Sequence, residues 1–170
     1  MRAILQKDII QTFKKMNEVL DSFSDEEINI VPFEGSWTGG QLIQHLILAC
    51  SGYPELFIGK KEKTNRKPDE QVKGLKDLFL NFDIKMDSPD FLKPEIKNYN
   101  KNLLTLSLLK IESELLNASE THDMSLLCRD FQLPNSEKFT IFEWINFALI
   151  HIQRHTKQLN DIYKHVKNNK

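Results

Sequence analysis

Apolar residues recur by threes and fours through the first stretch of the chain, where Ile4, Leu5, Ile9, Phe13, Met16, Val19 and Leu20 are separated by Lys, Asp, Glu and Gln. That spacing predicts an amphipathic helix. Ser24 followed by Glu27 has the form of a capping box, Pro32 ends the turn it starts, and the segment through Gly35 reads as a connector. A second helix opens near Thr38, whose hydroxyl can cap the first free amides. It carries a stripe of Leu42, Leu46, Ala49, Tyr53 and Phe57 with His45 close beside it, and Pro54 marks a kink or an end. From Gly59 to Pro94 the period is lost among Lys, Asp and Pro. This stretch predicts a long crossover with short helical turns, packed on the body through Leu75, Leu78, Phe79, Leu80 and Phe82. A third helix follows from about Asn98 to Asn117, with Leu103, Leu104, Leu106, Leu109, Ile111, Leu115 and Leu116, then a polar connector with Pro134 and Asn135. The fourth and longest helix runs from about Thr140 to Val166, and its stripe of Trp144, Ala148, His151, His155, Leu159, Ile162 and Val166 advances by threes and fours.

Four amphipathic helices with one extended link predict an all-α fold, a four-helix bundle with a long crossover between helices 2 and 3. A chain of 170 residues fits one domain, 1–170, and buries a core without a disulfide or a structural metal. No uncharged apolar run approaches the roughly 18 residues that span a bilayer, and the N-terminal stretch lacks a secretion signal. Cys50 and Cys128 lie far apart with no CxxC spacing, which predicts reduced thiols in a soluble, cytoplasmic protein. With 23 Lys and Arg against 24 Asp and Glu, the charge offers no case for nucleic acid or an acidic membrane as partner. The basic runs KKEKTNRK, from Lys60 to Lys67, and KHVKNNK at the C-terminus read as solvated loop and tail.

Histidine changes this bland picture. His151 and His155 sit four residues apart on the stripe of the last helix, so both rings leave one face and their nitrogens can converge on one ion. The same spacing is met by polar residues that merely edge a core and find backbone or water partners. His45, on an inward face with Leu42 and Ala49, supplies a third ring. Burying three imidazoles without partners costs on the order of 1 to 3 kcal/mol each, and a shared cation removes that cost. Three neutral imidazoles suit zinc, nickel, copper or ferrous iron and leave positions free for water or substrate. His122 and His165 read as surface residues outside the site. Trp37 and Tyr53 read as core, with pocket walls as the alternative, and Gln41 stands one turn before His45 where it could meet a ligand or water. Arg154 reads as a solvated residue, with an anion contact at the pocket rim as the alternative. No general base is identifiable.

Three segments together, WTGGQLIQHLI, SPDFLKPE and FEWINFALIHIQRHTKQL, resemble the DinB-like superfamily of small metal-binding bundles over nearly the whole chain. The resemblance implies an up-down-down-up four-helix bundle, a homodimer, and a metal site whose ligands fall on His45, His151 and His155. It implies a divalent metal (zinc, nickel, iron or manganese) and a low-molecular-weight thiol as cofactors. The activity it implies is that of a thiol S-transferase acting on an electrophilic small-molecule substrate, as in bacillithiol transferases and a mycothiol-dependent maleylpyruvate isomerase. Two other readings stay open: a hydrolase that uses a metal-bound water, and a non-catalytic bundle with a structural or vestigial metal. Neither the catalytic residues nor those that would hold a thiol are identified by any motif.

Overall fold

The computed structural model describes residues 1–134 and 136–168; Asn135, in the expected connector, and the last two residues of the C-terminal basic run lie outside it. The chain is mostly helical. In order come α1 (Arg2–Asp21), α2 (Gly39–Cys50), α3 (Tyr53–Ile58), β1 (Lys61–Glu62), α4 (Val72–Phe79), α5 (Lys101–Thr121), β2 (Leu127–Cys128) and α6 (Ile141–Asn168), with 3-10 turns at Glu27–Asn29 and Asp90–Leu92. The longest four, α1, α2, α5 and α6, form the body: α1 packs against α5 and α6, and α2 against the same pair.

Helix α1 buries Leu5, Ile9, Phe13, Met16 and Leu20, the stripe its spacing predicts. Ser24 and Glu27 exchange the two hydrogen bonds of a capping box (3.0 and 3.2 Å), and this box opens the first 3-10 turn. Thr38 and Gln41 form another at the start of α2, where Gln41 N donates to Thr38 Oγ1 at 3.1 Å and Thr38 N to Gln41 Oε1 at 3.0 Å. The entry to α2 lies so close to its neighbours that a Cβ on Gly40 would meet Tyr99 Cβ at 2.8 Å. Glycine there lets the helix carrying His45 approach the body.

Three expectations need correction. The second helix ends at Cys50 and α3 starts afresh at Tyr53, because Pro54 lacks an N–H to continue a helix yet fits its first turn. In α5 the buried face is Leu104, Leu108, Ile111 and Leu115; Leu103, Leu106 and Leu109, expected on the stripe, are 64, 61 and 46 % exposed. A helix with leucine on several faces does not reveal by itself which face its neighbours cover. The residues just after α3 pair with residues shortly before α6 in a small antiparallel sheet, Lys61 opposite Cys128 and Glu62 opposite Leu127, too short to show any period.

The crossover carries the expected short helical elements, and polar bonds hold it to α6. Glu143 is fully buried, accepts both Arg66 nitrogens (2.5 and 2.8 Å) and the Gln71 amide (2.8 Å), and closes a capping box with Thr140. Arg66 belongs to the basic run that reads as solvated loop, and its burial in this knot overturns that reading for this residue. Among the described residues no helix is long and apolar enough to cross a membrane.

Candidate metal centre

His151 and His155 leave one face of α6 as their four-residue spacing requires, and His45 reaches them from α2. All three rings are buried, with 4 to 9 % exposure. His155 Nε2 lies 2.9 Å from His151 Nε2, and His45 Nε2 lies 3.3 Å from the same atom. One nitrogen from each ring falls within 4.8 Å of the other two. Ligand bonds of about 2.0 to 2.1 Å at tetrahedral to octahedral angles separate two nitrogens by about 2.8 to 3.4 Å, so the observed 2.9 and 3.3 Å fit one shared ion.

The far side of each ring decides where its lone pair points. His45 Nδ1 donates to the Leu92 carbonyl at 3.0 Å, with Ser88 Oγ at 3.3 Å from the same nitrogen. A carbonyl only accepts, so the proton sits on Nδ1 and Nε2 is bare. His155 Nδ1 is bonded in the same way to Gln158 Oε1. Two bare nitrogens thus face a third, and the proton of His151 can serve only one of them. If that proton sits on Nε2, its Nδ1 is left as an acceptor with nothing to accept, and Nδ1 is indeed buried without a partner. The facing nitrogens alone cannot satisfy one another, whereas three Nε2 lone pairs aimed at a cation can; Nδ1 of His151 stays without a partner in either case.

Burial, the largest influence on each ring, disfavours the charged imidazolium. It holds His155 down at about 3 and His151 well below its ordinary value, and it also lowers His45, against the pull of the Leu92 carbonyl. All three are therefore neutral at physiological pH, the form that binds metal. Neighbouring charge acts in the same direction on α6, since Arg154 further disfavours protonation of His151 and His155.

Arg154 departs from the solvated reading. It is 7 % exposed, and its guanidinium donates to the carbonyls of Phe79 (2.8 Å), Asn81 (3.1 Å) and Ile84 (2.6 Å), clasping the crossover to α6 beside the histidines. Gln41, a candidate ligand contact, has its side-chain oxygen committed to the α2 cap. Trp37 is half-buried with its ring 5.3 Å from that of His45, so it borders the site as well as the core, while Tyr53 stacks on Phe57 as core. Phe147 lies parallel to His151 at 5.8 Å and Phe79 stands edge-on to it at 6.3 Å. These aromatic walls border the three rings, and the trio contains no carboxylate.

The remaining candidates stay apart from the trio. His165 is exposed, and His122 is half-buried against Phe57, on the wall of a cavity of about 120 Å³ that includes Cys50 and Tyr53 but none of the three histidines. Both cysteines are free and buried, and burial pushes the thiols of Cys50 and Cys128 up to about 12 and about 11. Neither is a poised nucleophile. Sequence reasoning missed Leu92, Gln158, Glu143 and Arg66. A backbone carbonyl leaves no sequence signal, but Gln158 three residues after His155 and the Thr-x-x-Glu of 140–143 were both readable.

Neither the curated proteins nor the solved structures include a significant match to this chain. The family model described as the DinB superfamily matches residues 9–159, a span that takes in α2, the crossover and all three histidines. The chain belongs to the DinB superfamily.

Proposed function

We propose that the protein is a metal-dependent enzyme that transfers a low-molecular-weight thiol to an electrophilic small molecule, with His45, His151 and His155 as the metal ligands. The observation that carries this reading is the meeting of three Nε2 atoms whose outer nitrogens are tied down on two rings and orphaned on the third. A divalent ion held there supplies a Lewis acid that keeps a coordinated thiol deprotonated near neutral pH. The Leu92 carbonyl and Gln158 fix two rings in the ligating tautomer, Trp37, Phe79 and Phe147 limit water around them, and Arg154 keeps residues 79–84 closed against α6. The chain's own thiols being buried and neutral, the nucleophilic sulfur is assigned to a small-molecule cosubstrate.

The same reading takes the body to be an up-down-down-up four-helix bundle and the protein to be a cytoplasmic homodimer. The exposed Leu103, Leu106 and Leu109 face of α5 supports self-association. A screen of thiols against the cobalt-substituted protein tests the activity. A cognate thiol brings a sulfur-to-metal charge-transfer band, and turnover of an electrophile depends on that thiol. Absence of any spectral change across the thiols, with turnover independent of them, removes the transferase reading.

A further inference from the structure

We propose that Arg154 is a fixed positive charge that biases the site toward anionic ligands, so that the molecule entering beside the three histidines brings a negative group, thiolate or carboxylate, within the field of the guanidinium. The inference rests on the metal-site reading and narrows the chemistry of what that site accepts.

Three observations carry it. Arg154 stands on α6 between His151 and His155, buried, and among the described residues it has no ion pair: its donors go to three uncharged carbonyls. The acidic groups of α6 are engaged elsewhere, Glu143 by Arg66 at 2.5 Å and Asp161 by Lys157 at 2.7 Å. The trio itself contains only histidines, so no protein carboxylate offsets an ion bound there. The carbonyl of Phe79 belongs to the last turn of α4, and the negative pole of a helix amounts to about half a unit charge, less for one of eight residues. Arg154 therefore remains net positive after it has capped α4. Burial keeps this charge from being screened. A divalent ion, three neutral ligands and this guanidinium leave a positive excess that none of the ligating side chains balances, and an anion supplies the balance.

A fixed cation beside a metal site has two opposed effects. It repels the metal ion and attracts an anion to it. Removing the charge should therefore strengthen metal binding in anion-free buffer and weaken anion binding, whereas loss of a purely structural clasp loosens both.

Three full-length variants separate these outcomes. R154Q keeps amide donors without the charge, R154K keeps the charge with fewer donors, and N81D adds a carboxylate on an exposed residue whose carbonyl already accepts from Arg154. Cobalt(II) affinity is measured by chelator competition. Binding of thiocyanate, and of imidazole as a neutral control, is read from the visible bands of the cobalt-loaded protein. Expected are cobalt affinity about tenfold higher and thiocyanate affinity about tenfold lower in R154Q, imidazole unchanged, and R154K within about threefold of the parent. N81D should move both affinities in the directions of R154Q, by about threefold because its charge is screened by solvent. Cobalt and thiocyanate affinities falling together in R154Q, or R154Q and R154K behaving alike, would overturn the inference. Should R154Q fail to fold, an N81D protein indistinguishable from the parent would overturn it as well. Because imidazole and cobalt binding are recorded throughout, intact metal binding without anion bias refutes this inference and leaves the metal reading standing.

Discussion

Helix α6 carries two buried polar clusters, two turns apart, that both meet the crossover and differ in completeness. At Glu143 every strong group is answered: the carboxylate takes Arg66, the Gln71 amide and the cap of its own helix. At His151 the ring leaves Nδ1 unpartnered and shares one proton's worth of donor capacity with two bare nitrogens. A satisfied cluster fixes the fold and asks for nothing from outside. An unsatisfied one, in which three rings turn their nitrogens toward a single point, marks where something binds; Trp144 Nε1 and Asn17 Oδ1, also buried without a partner, each stand alone.

The difference can be broken by mutation, and the largest effect belongs to the satisfied cluster. Glu143→Ala strands a mostly buried guanidinium and should lower unfolding free energy by about 3 to 5 kcal/mol in urea titrations, while the folded variant keeps its metal affinity. His151→Ala should do the reverse. Zinc affinity falls at least about 100-fold by competition with a chromophoric chelator, and the metal-free fold holds or gains stability because an orphaned polar atom has gone.

Acid sharpens the same contrast. The folded-state values of His151 and His155 lie below the ordinary histidine value, so between about pH 6.5 and about 3 the unfolded chain binds more protons. Stability of the metal-free protein is therefore full above pH 6.5 and declines as pH falls, by up to about 2 kcal/mol for each of these rings between pH 7 and pH 5. Thermal melts across that range should show the decline, and substituting both histidines by leucine should flatten it. The smallest effect is expected one shell out: Gln158→Ala frees the His155 tautomer and should weaken zinc binding about tenfold, with the melting temperature of the metal-free protein little changed.

Much of this was legible in the chain because helices and their faces are written in spacing. The α1 stripe, the Thr38 cap and the shared face of His151 and His155 follow from residue intervals of three and four, whereas the place of His45 beside them came from the family resemblance. What escaped has no period. Arg66 and Arg154 looked like solvated charges because the groups that bury them, a carboxylate on a distant helix and three carbonyls of the crossover, are brought near only by the tertiary fold. The Leu92 carbonyl is a backbone atom, available to any residue at that position. In α5 the surplus of leucine hid the buried face, and the two-residue strands were too short to register. The residues that give the site its chemistry were visible, and those that orient it mostly were not.

The shared ion is tested most directly by metal analysis of protein purified without an affinity tag, set beside a His45→Ala, His151→Ala, His155→Ala variant prepared in the same way. The account predicts close to one divalent metal per chain in the parent and a negligible amount in the variant. Equal metal content in the two proteins would contradict it.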